Sequence, residues 1–303
     1  MPSMIISASR RTDIPAFYMP WFMNRLRVGS ASYPNPFSGA LHSVSLLPED
    51  VHSIVFWSKY YGPFLDYSDE LQARDYRFVC HYTITGSPRE LEPHVPRWEA
   101  AIKVFHALAE RTSPRHVLWR FDPIVALGDA GQVSSPSEGG GDLGERLIRF
   151  REIARALAGH TERCYFSFAS YYGKVQRRMQ KANIPYCDPP LEAKQALVEQ
   201  MADCADECGI TLHACCQDAL LSDRVQKAHC VDGDLLAQLF PDRPHVTQAN
   251  PTREQCGCVT SRDIGMYDTC PYGCVYCYAN ANHAAAVKHR QQHDPMSETL
   301  VKK

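Results

Sequence analysis

The chain has 303 residues, with 32 Lys and Arg against 34 Asp and Glu, so its net charge of −2 neither argues for nor excludes a nucleic-acid partner. At 45% hydrophobic and 22% charged it carries ample apolar content for a core, enough for one large α/β domain or two smaller ones. No apolar run approaches the roughly 18 residues of a membrane-spanning helix, and residues 1–7 lack the long apolar region of a signal peptide, so a cytosolic protein is expected.

In chain order, short β-branched or aromatic runs predict six strands, at 4–8, 52–58, 77–85, 116–121, 163–169 and 209–214. Helical patterns lie between them. The clearest covers about 97–111, with Trp98, Ile102, Phe105 and Leu108 on one face. A second covers 143–158, with Leu147, Phe150, Ile153 and Leu157 in register. A third follows Pro189-Pro190 and carries Leu197, Met201, Cys204 and Cys208 before Gly209 stops it. Residues 128–141 are rich in Gly and Ser and read as a mobile loop. The tail from 283 starts as a helix and is expected to end polar and frayed.

Strands alternating with helices predict a mostly parallel sheet, which right-handed crossovers roll toward a barrel or part-barrel. In such folds chemistry gathers at the C-terminal ends of the strands. That rule selects residues 9–13, 58–59, 83–86, 120–123, 167–172 and 213–216, every one of them polar or ligand-capable. The expected layout is one barrel domain over 1–282, including a cysteine-rich segment at 213–280, followed by the tail at 283–303.

Thirteen cysteines are many for a cytosolic chain, and a disulfide framework does not suit that compartment. Cys270, Cys274 and Cys277 stand at a three-then-two spacing, with Tyr276 directly before the last. Thiolates at short spacings hold [4Fe–4S] clusters, and three ligands with no matching fourth leave one iron open. The bland alternative is a structural zinc site, for which Cys256 and Cys258 would supply a second pair. Against zinc stand the three-residue first spacing and the aromatic at 276.

Cys256 and Cys258 lie in a polar loop, as does Cys230, while Cys215 and Cys216 end the sixth predicted strand. A second, auxiliary cluster on Cys216, Cys230, Cys256 and Cys258 is expected, and the residues alone do not decide between Cys215 and Cys216. Unligated, partly buried thiols are the plain alternative. Cys204 and Cys208 lie on an apolar helix stripe and read as core, as do Cys80 and Cys164 within strands; Cys187 falls in a loop.

Arg10, Arg11 and Asp13 follow the first strand, and Arg120 and Asp122 follow the fourth. Such groups at a barrel mouth grip carboxylate, phosphate or ribose; the alternative is a structural ion pair of Arg10 or Arg11 with Asp13. The basic run 174–181 reads as a solvated helix face, with a nucleic-acid or acidic partner as the lesser alternative.

The Cys-x3-Cys-x2-Cys triplet resembles the signature of the radical S-adenosylmethionine (SAM) enzymes. Residues 256–280 together with the N-terminal Ile-Ile-Ser-Ala-Ser-Arg-Arg-Thr-Asp-Ile-Pro-Ala-Phe resemble the bacterial "domain of unknown function 1848" family. The Val-Phe-Trp-Ser-Lys and Trp-Arg-Phe-Asp-Pro segments extend the resemblance over nearly the whole chain. It implies that Cys270, Cys274 and Cys277 hold a [4Fe–4S] cluster whose open iron chelates SAM. One-electron reduction, from a flavodoxin or ferredoxin, would then yield a 5′-deoxyadenosyl radical that takes hydrogen from an unknown substrate. It also implies a (βα)6-type partial TIM barrel. Because the cluster loop follows the last strand here, the barrel is expected to be circularly permuted, with residues 9–13 beside that loop in space. The Gly-Gly-Glu motif of many such enzymes is absent, so Arg10, Arg11, Asp13, Arg120 and Asp122 are cofactor-binding candidates from position alone.

Overall fold

The computed structural model describes residues 4–35, 38–128 and 142–301. The chain opens with β1 (Met4–Ala8), α1 (Ile14–Phe17), α2 (Met19–Val28) and a hairpin of β2 (Ser30–Pro34) and β3 (Leu41–Ser45). The central run is β4 (Val51–Ser58), α3 (Gly62–Leu65), α4 (Ser68–Ala73), β5 (Phe78–Thr83), α5 (Trp98–Arg111) and β6 (Val117–Ile124). Then come β7 (Ala126–Leu127), α6 (Asp142–Leu157), β8 (Arg163–Phe168), α7 (Gly173–Lys181), β9 (Tyr186–Cys187), α8 (Leu191–Glu207) and β10 (Thr211–Ala214). The last elements are β11 (Val225–Lys227), α9 (Gly233–Leu239), β12 (Arg262–Asp263) and α10 (His283–Gln291).

All six expected strands are present and form the body of an eight-stranded sheet in the order β11-β10-β8-β6-β5-β4-β1-β12, with every pairing parallel. From β1 to β11 each sheet strand lies beside its predecessor. The chain then crosses back, and β12 adds to the free side of β1, pairing Arg262 with Ile6 and Asp263 with Ser7. A two-residue strand carries no alternation, so β12 could not be read from the sequence.

Side chains alternate between the two faces of the sheet. Ile6, Ile54, Phe56, Phe78, Cys80, Trp119, Phe121, Phe166 and Leu212 face the main core. The expected helix stripes close it: Ile102, Phe105 and Leu108 from α5, Leu147, Phe150, Ile153 and Leu157 from α6, and Leu197, Met201 and Cys204 from α8. The opposite face presents Ile5, Val55, Val79, Leu118 and Tyr165 to a second cluster formed by residues 215–259, with Leu235 and Leu236 of α9 at its centre.

Several expectations are corrected. The tail is docked, not frayed: Leu300 is buried, Trp21 Nε1 donates to the Ser297 carbonyl at 2.9 Å, and Arg25 donates to the Met296 carbonyl at 3.1 Å. Cys208 is the half-buried C-cap of α8, whereas Cys204, Cys80 and Cys164 are core as expected. Cys187 is buried in β9 and not in a loop. Of the glycine-rich stretch 128–141, residues 129–141 lie outside the described residues.

Candidate functional site

At the C-terminal ends of the sheet strands lies a cavity of about 1110 Å³. All six segments selected by the strand-end rule contribute to it: Ser9 to Asp13, Ser58 and Lys59, Thr83, Arg120 and Asp122, Ser167 to Ser170 and Tyr172, and Cys215 and Cys216. Cys230, Cys256, Cys258, Cys270, Cys274 and Cys277 complete its wall. Eight of the thirteen cysteines therefore border one space.

Asp263 of β12 fastens that strand to β1. One carboxylate oxygen accepts from Ser7 Oγ at 2.9 Å and the Arg10 amide at 2.8 Å. The other accepts from Ser9 Oγ at 2.6 Å, Arg11 Nε at 3.1 Å and the Gly265 amide at 3.0 Å. Burial alone would raise its pKa, but Arg11, Ser9 and the Arg10 amide hold it below the usual carboxylate range. Arg11 thus pairs with Asp263, and neither Arg10 nor Arg11 pairs with Asp13. Asp13 instead caps α1 through the Ala16 amide and accepts from Ser58 Oγ at 2.6 Å and the Lys59 amide at 2.8 Å. Burial pushes its pKa up to about 6 despite those bonds.

The loop bearing Cys270, Cys274 and Cys277 is held from both sides. On the β1 side, Thr12 Oγ1 lies 2.6 Å from Thr269 Oγ1 and donates to the Met266 carbonyl at 2.8 Å, Tyr18 donates to the Thr269 carbonyl at 2.6 Å, and Tyr278 donates to the Arg10 carbonyl at 2.7 Å. On the far side, Arg178 of α7 donates Nε to the Val275 carbonyl at 2.9 Å and its two terminal nitrogens to the carbonyls of Cys277 and Asn280. One planar fork thereby satisfies three loop carbonyls, one from each guanidinium nitrogen, where a lysine would offer a single nitrogen. The basic run 174–181 is therefore not simply a solvated face; nothing in its sequence marks Arg178 apart from Arg177.

Behind the triplet, Glu92 accepts from Lys59 Nζ at 2.8 Å, from Thr85 Oγ1 at 2.7 Å and from the hydroxyl of Tyr276. This fixes the aromatic that precedes the third cysteine. Burial pushes the Cys270 and Cys274 thiols up; Asp13 adds to the rise at Cys270, while Lys59 opposes it at Cys274. Cys277 Sγ accepts the Ala279 amide at 3.3 Å. Three cavity-facing thiols, one of them already accepting a backbone amide, form a donor set that suits a thiolate-held cluster.

Cys215, Cys216, Cys230, Cys256 and Cys258 gather on the other side of the cavity. Cys215 Sγ lies 3.4 Å from Cys230 Sγ and 4.0 Å from Cys216 Sγ. Cys258 Sγ accepts the Val231 amide at 3.4 Å. The Cys256 thiol is held down at about 5, chiefly by its hydrogen bond with Cys258. Three guanidiniums end on this group: Arg120 on Cys230 at 3.2 Å, Arg253 on Cys215 at 3.3 Å and Arg10 on Cys258 at 3.6 Å. Arg120 is also paired with Asp122, which accepts from Ser167 as well. Beneath them runs a tier of rings across the strands: Trp57 stacks on His81 at 4.3 Å, and Tyr165 stacks on His213 at 5.0 Å. Arg10 and Arg120 lie 4.9 and 5.3 Å from the Trp57 ring centroid. His213, at the predicted strand end, is a buried ring held neutral, its pKa lowered by burial to about 4. Among the described residues no three His, Cys, Asp or Glu side chains are set around a single-ion position.

The family described as a domain of unknown function (DUF1848) matches residues 5–279. This chain belongs to the DUF1848 family. The match begins in β1 and ends in the cysteine loop, so both walls of the cavity lie inside the family's common region. No curated protein and no solved structure gives a significant match. In this DUF1848 protein all twelve residues put forward from sequence for cofactor or metal contact border the one cavity. Sequence reasoning missed Lys59 and Glu92 as a pair, Asp263, Arg253 and Arg178, each of which acts through contacts remote in sequence.

Proposed function

We propose that this protein is a radical SAM enzyme whose [4Fe–4S] cluster is held by Cys270, Cys274 and Cys277, acting on an unknown substrate. The carrying observation is that these three thiols line the cavity at the strand ends, beside residues 9–13. When bound, cluster and SAM supply a 5′-deoxyadenosyl radical after one-electron reduction by a flavodoxin or ferredoxin. The chain's own residues hold the loop in place through Arg178, Thr12 and Tyr18, and the Lys59–Glu92 pair orients Tyr276.

In this reading the sheet is a circularly permuted (βα)6 partial barrel. Support comes from the placement of β12 beside β1, directly before the cysteine loop. The cofactor-binding candidates divide by placement. Arg11 and Asp13 are engaged in the frame, and Arg10, Arg120 and Asp122 serve the second cysteine group. That group is read as the auxiliary cluster site, with Cys230, Cys256 and Cys258 and either Cys215 or Cys216 as ligands. The cavity volume, just above the usual range of small-molecule sites, gives room for more than one occupant.

The test is spectroscopic. After anaerobic reconstitution and dithionite reduction, adding SAM is expected to change the EPR signal of the cluster on Cys270, Cys274 and Cys277, because an open iron takes a new ligand. A fully loaded protein with an unaltered spectrum would make it an electron carrier with protein-ligated clusters only.

A further inference from the structure

We propose that Arg10, Arg120 and Arg253 form a cationic cage that matches the second cysteine group to a dianionic centre and raises the reduction potential of the cluster seated there. This rests on reading that group as an auxiliary cluster site. The three guanidiniums come from three remote parts of the chain, and each ends on a different sulfur: Cys258, Cys230 and Cys215. Among the described residues Arg11 and Arg120 are paired with Asp263 and Asp122, while Arg10 and Arg253 have no carboxylate at ion-pair distance from their guanidiniums, a surplus of two positive charges among the four.

Thiols that are not all ionised answer only part of that surplus, and a cation drawn out of water without an anion is costly. Arg10 is half-buried, so water relieves its charge only in part. A four-thiolate [4Fe–4S] centre carries a net charge of about −2 when oxidised and about −3 after taking one electron. The first value matches the surplus. The second is favoured further by each nearby cation, because Coulomb attraction grows with the added charge. Hydrogen bonds to the sulfurs, from the guanidiniums and from the Val231 amide, act in the same direction.

The experiment uses the full chain with Cys270, Cys274 and Cys277 replaced by Ala, so that only the second centre is titrated. Iron, sulfide and zinc are counted after anaerobic reconstitution, and the midpoint potential is read by EPR. Arg253→Gln, Arg253→Glu and Arg253→Lys are then added; Arg253 is on the surface, so these variants keep the fold. The expectation is about four irons and a potential that falls from parent to Gln to Glu. The Glu variant is expected to shift the one-electron equilibrium about tenfold, about 59 mV, less at high salt. The Lys variant keeps the charge and stays near the parent. A folded Glu variant that loads no iron while the Lys variant loads fully also supports the cage. A loaded centre whose potential ignores the charge at position 253 overturns the cage and leaves the cluster reading intact. Zinc, or no metal at all, overturns both.

Discussion

Replacing Asp263 by Asn removes the joint between the first and last strands of the sheet. Five donors converge on the carboxylate, two on one oxygen and three on the other. The amide keeps only one acceptor, and its NH2 group faces donors on the opposite side. At least two bonds to a charged acceptor are lost, each worth about 1.5–3 kcal/mol. Arg11, whose side chain is 10% exposed, also loses its carboxylate, and breaking a buried pair costs about 3–5 kcal/mol. These are overlapping views of one loss, so the expected destabilisation is about 3–5 kcal/mol, read as a lowered midpoint in urea unfolding. The pH dependence has a fixed sign. Because Asp263 is held below the usual carboxylate range, its contribution is present above about pH 4 and lost as pH falls through the native value, so wild type and variant converge in acid. A destabilisation under about 1 kcal/mol, or a gap that widens in acid, would refute the assignment of Asp263 as the joint.

Asp13 carries the opposite sign. Its pKa is raised by burial to about 6, so its stabilising contribution is complete below about pH 4 and declines as pH rises through 6. The stability gap between wild type and Asp13→Ala is therefore larger at pH 4 than at pH 7, measured by urea unfolding at both. Arg178→Lys replaces three separate donor nitrogens by a single ammonium, and Arg178→Ala leaves all three carbonyls without a donor. Both variants should lower the iron retained by the Cys270 loop, Ala more than Lys, while the second centre keeps its iron; equal retention in both would contradict the clamp. Glu92→Gln keeps one oxygen for the three donors but removes the charge that pairs with Lys59, and so weakens the hold on Tyr276. It should broaden or shift the EPR spectrum of the first centre without changing its iron count, and an unchanged spectrum would count against the role given to Glu92.

Much of the frame was legible in the sequence because its signals are local. Val51 to Ser58 and Val117 to Ile124 are buried along most of their length and read as apolar runs, and the stripes of α5 and α8 recur at helical spacing. The cavity was legible for a topological reason, since strand ends of a parallel sheet share one edge. What stayed hidden depends on contacts between residues far apart in the chain. Asp263 meets Ser9 at a separation of 254 residues, Arg178 meets Cys277 at 99, and Arg120 meets Cys230 at 110. The docked tail was missed because its anchors are mainly backbone carbonyls of Pro295, Met296 and Ser297, which no side-chain pattern announces. The choice between Cys215 and Cys216 turns on the end of β10. There Cys215 is buried against Cys230, and Cys216 takes a left-handed backbone with φ of 55°.

The most direct measurement is product analysis of the reaction itself. Protein reconstituted anaerobically with iron and sulfide, reduced with dithionite and given SAM is expected to release 5′-deoxyadenosine, and the Cys270, Cys274 and Cys277 to Ala variant is expected to release none. A fully loaded wild-type protein that yields no 5′-deoxyadenosine would contradict the account.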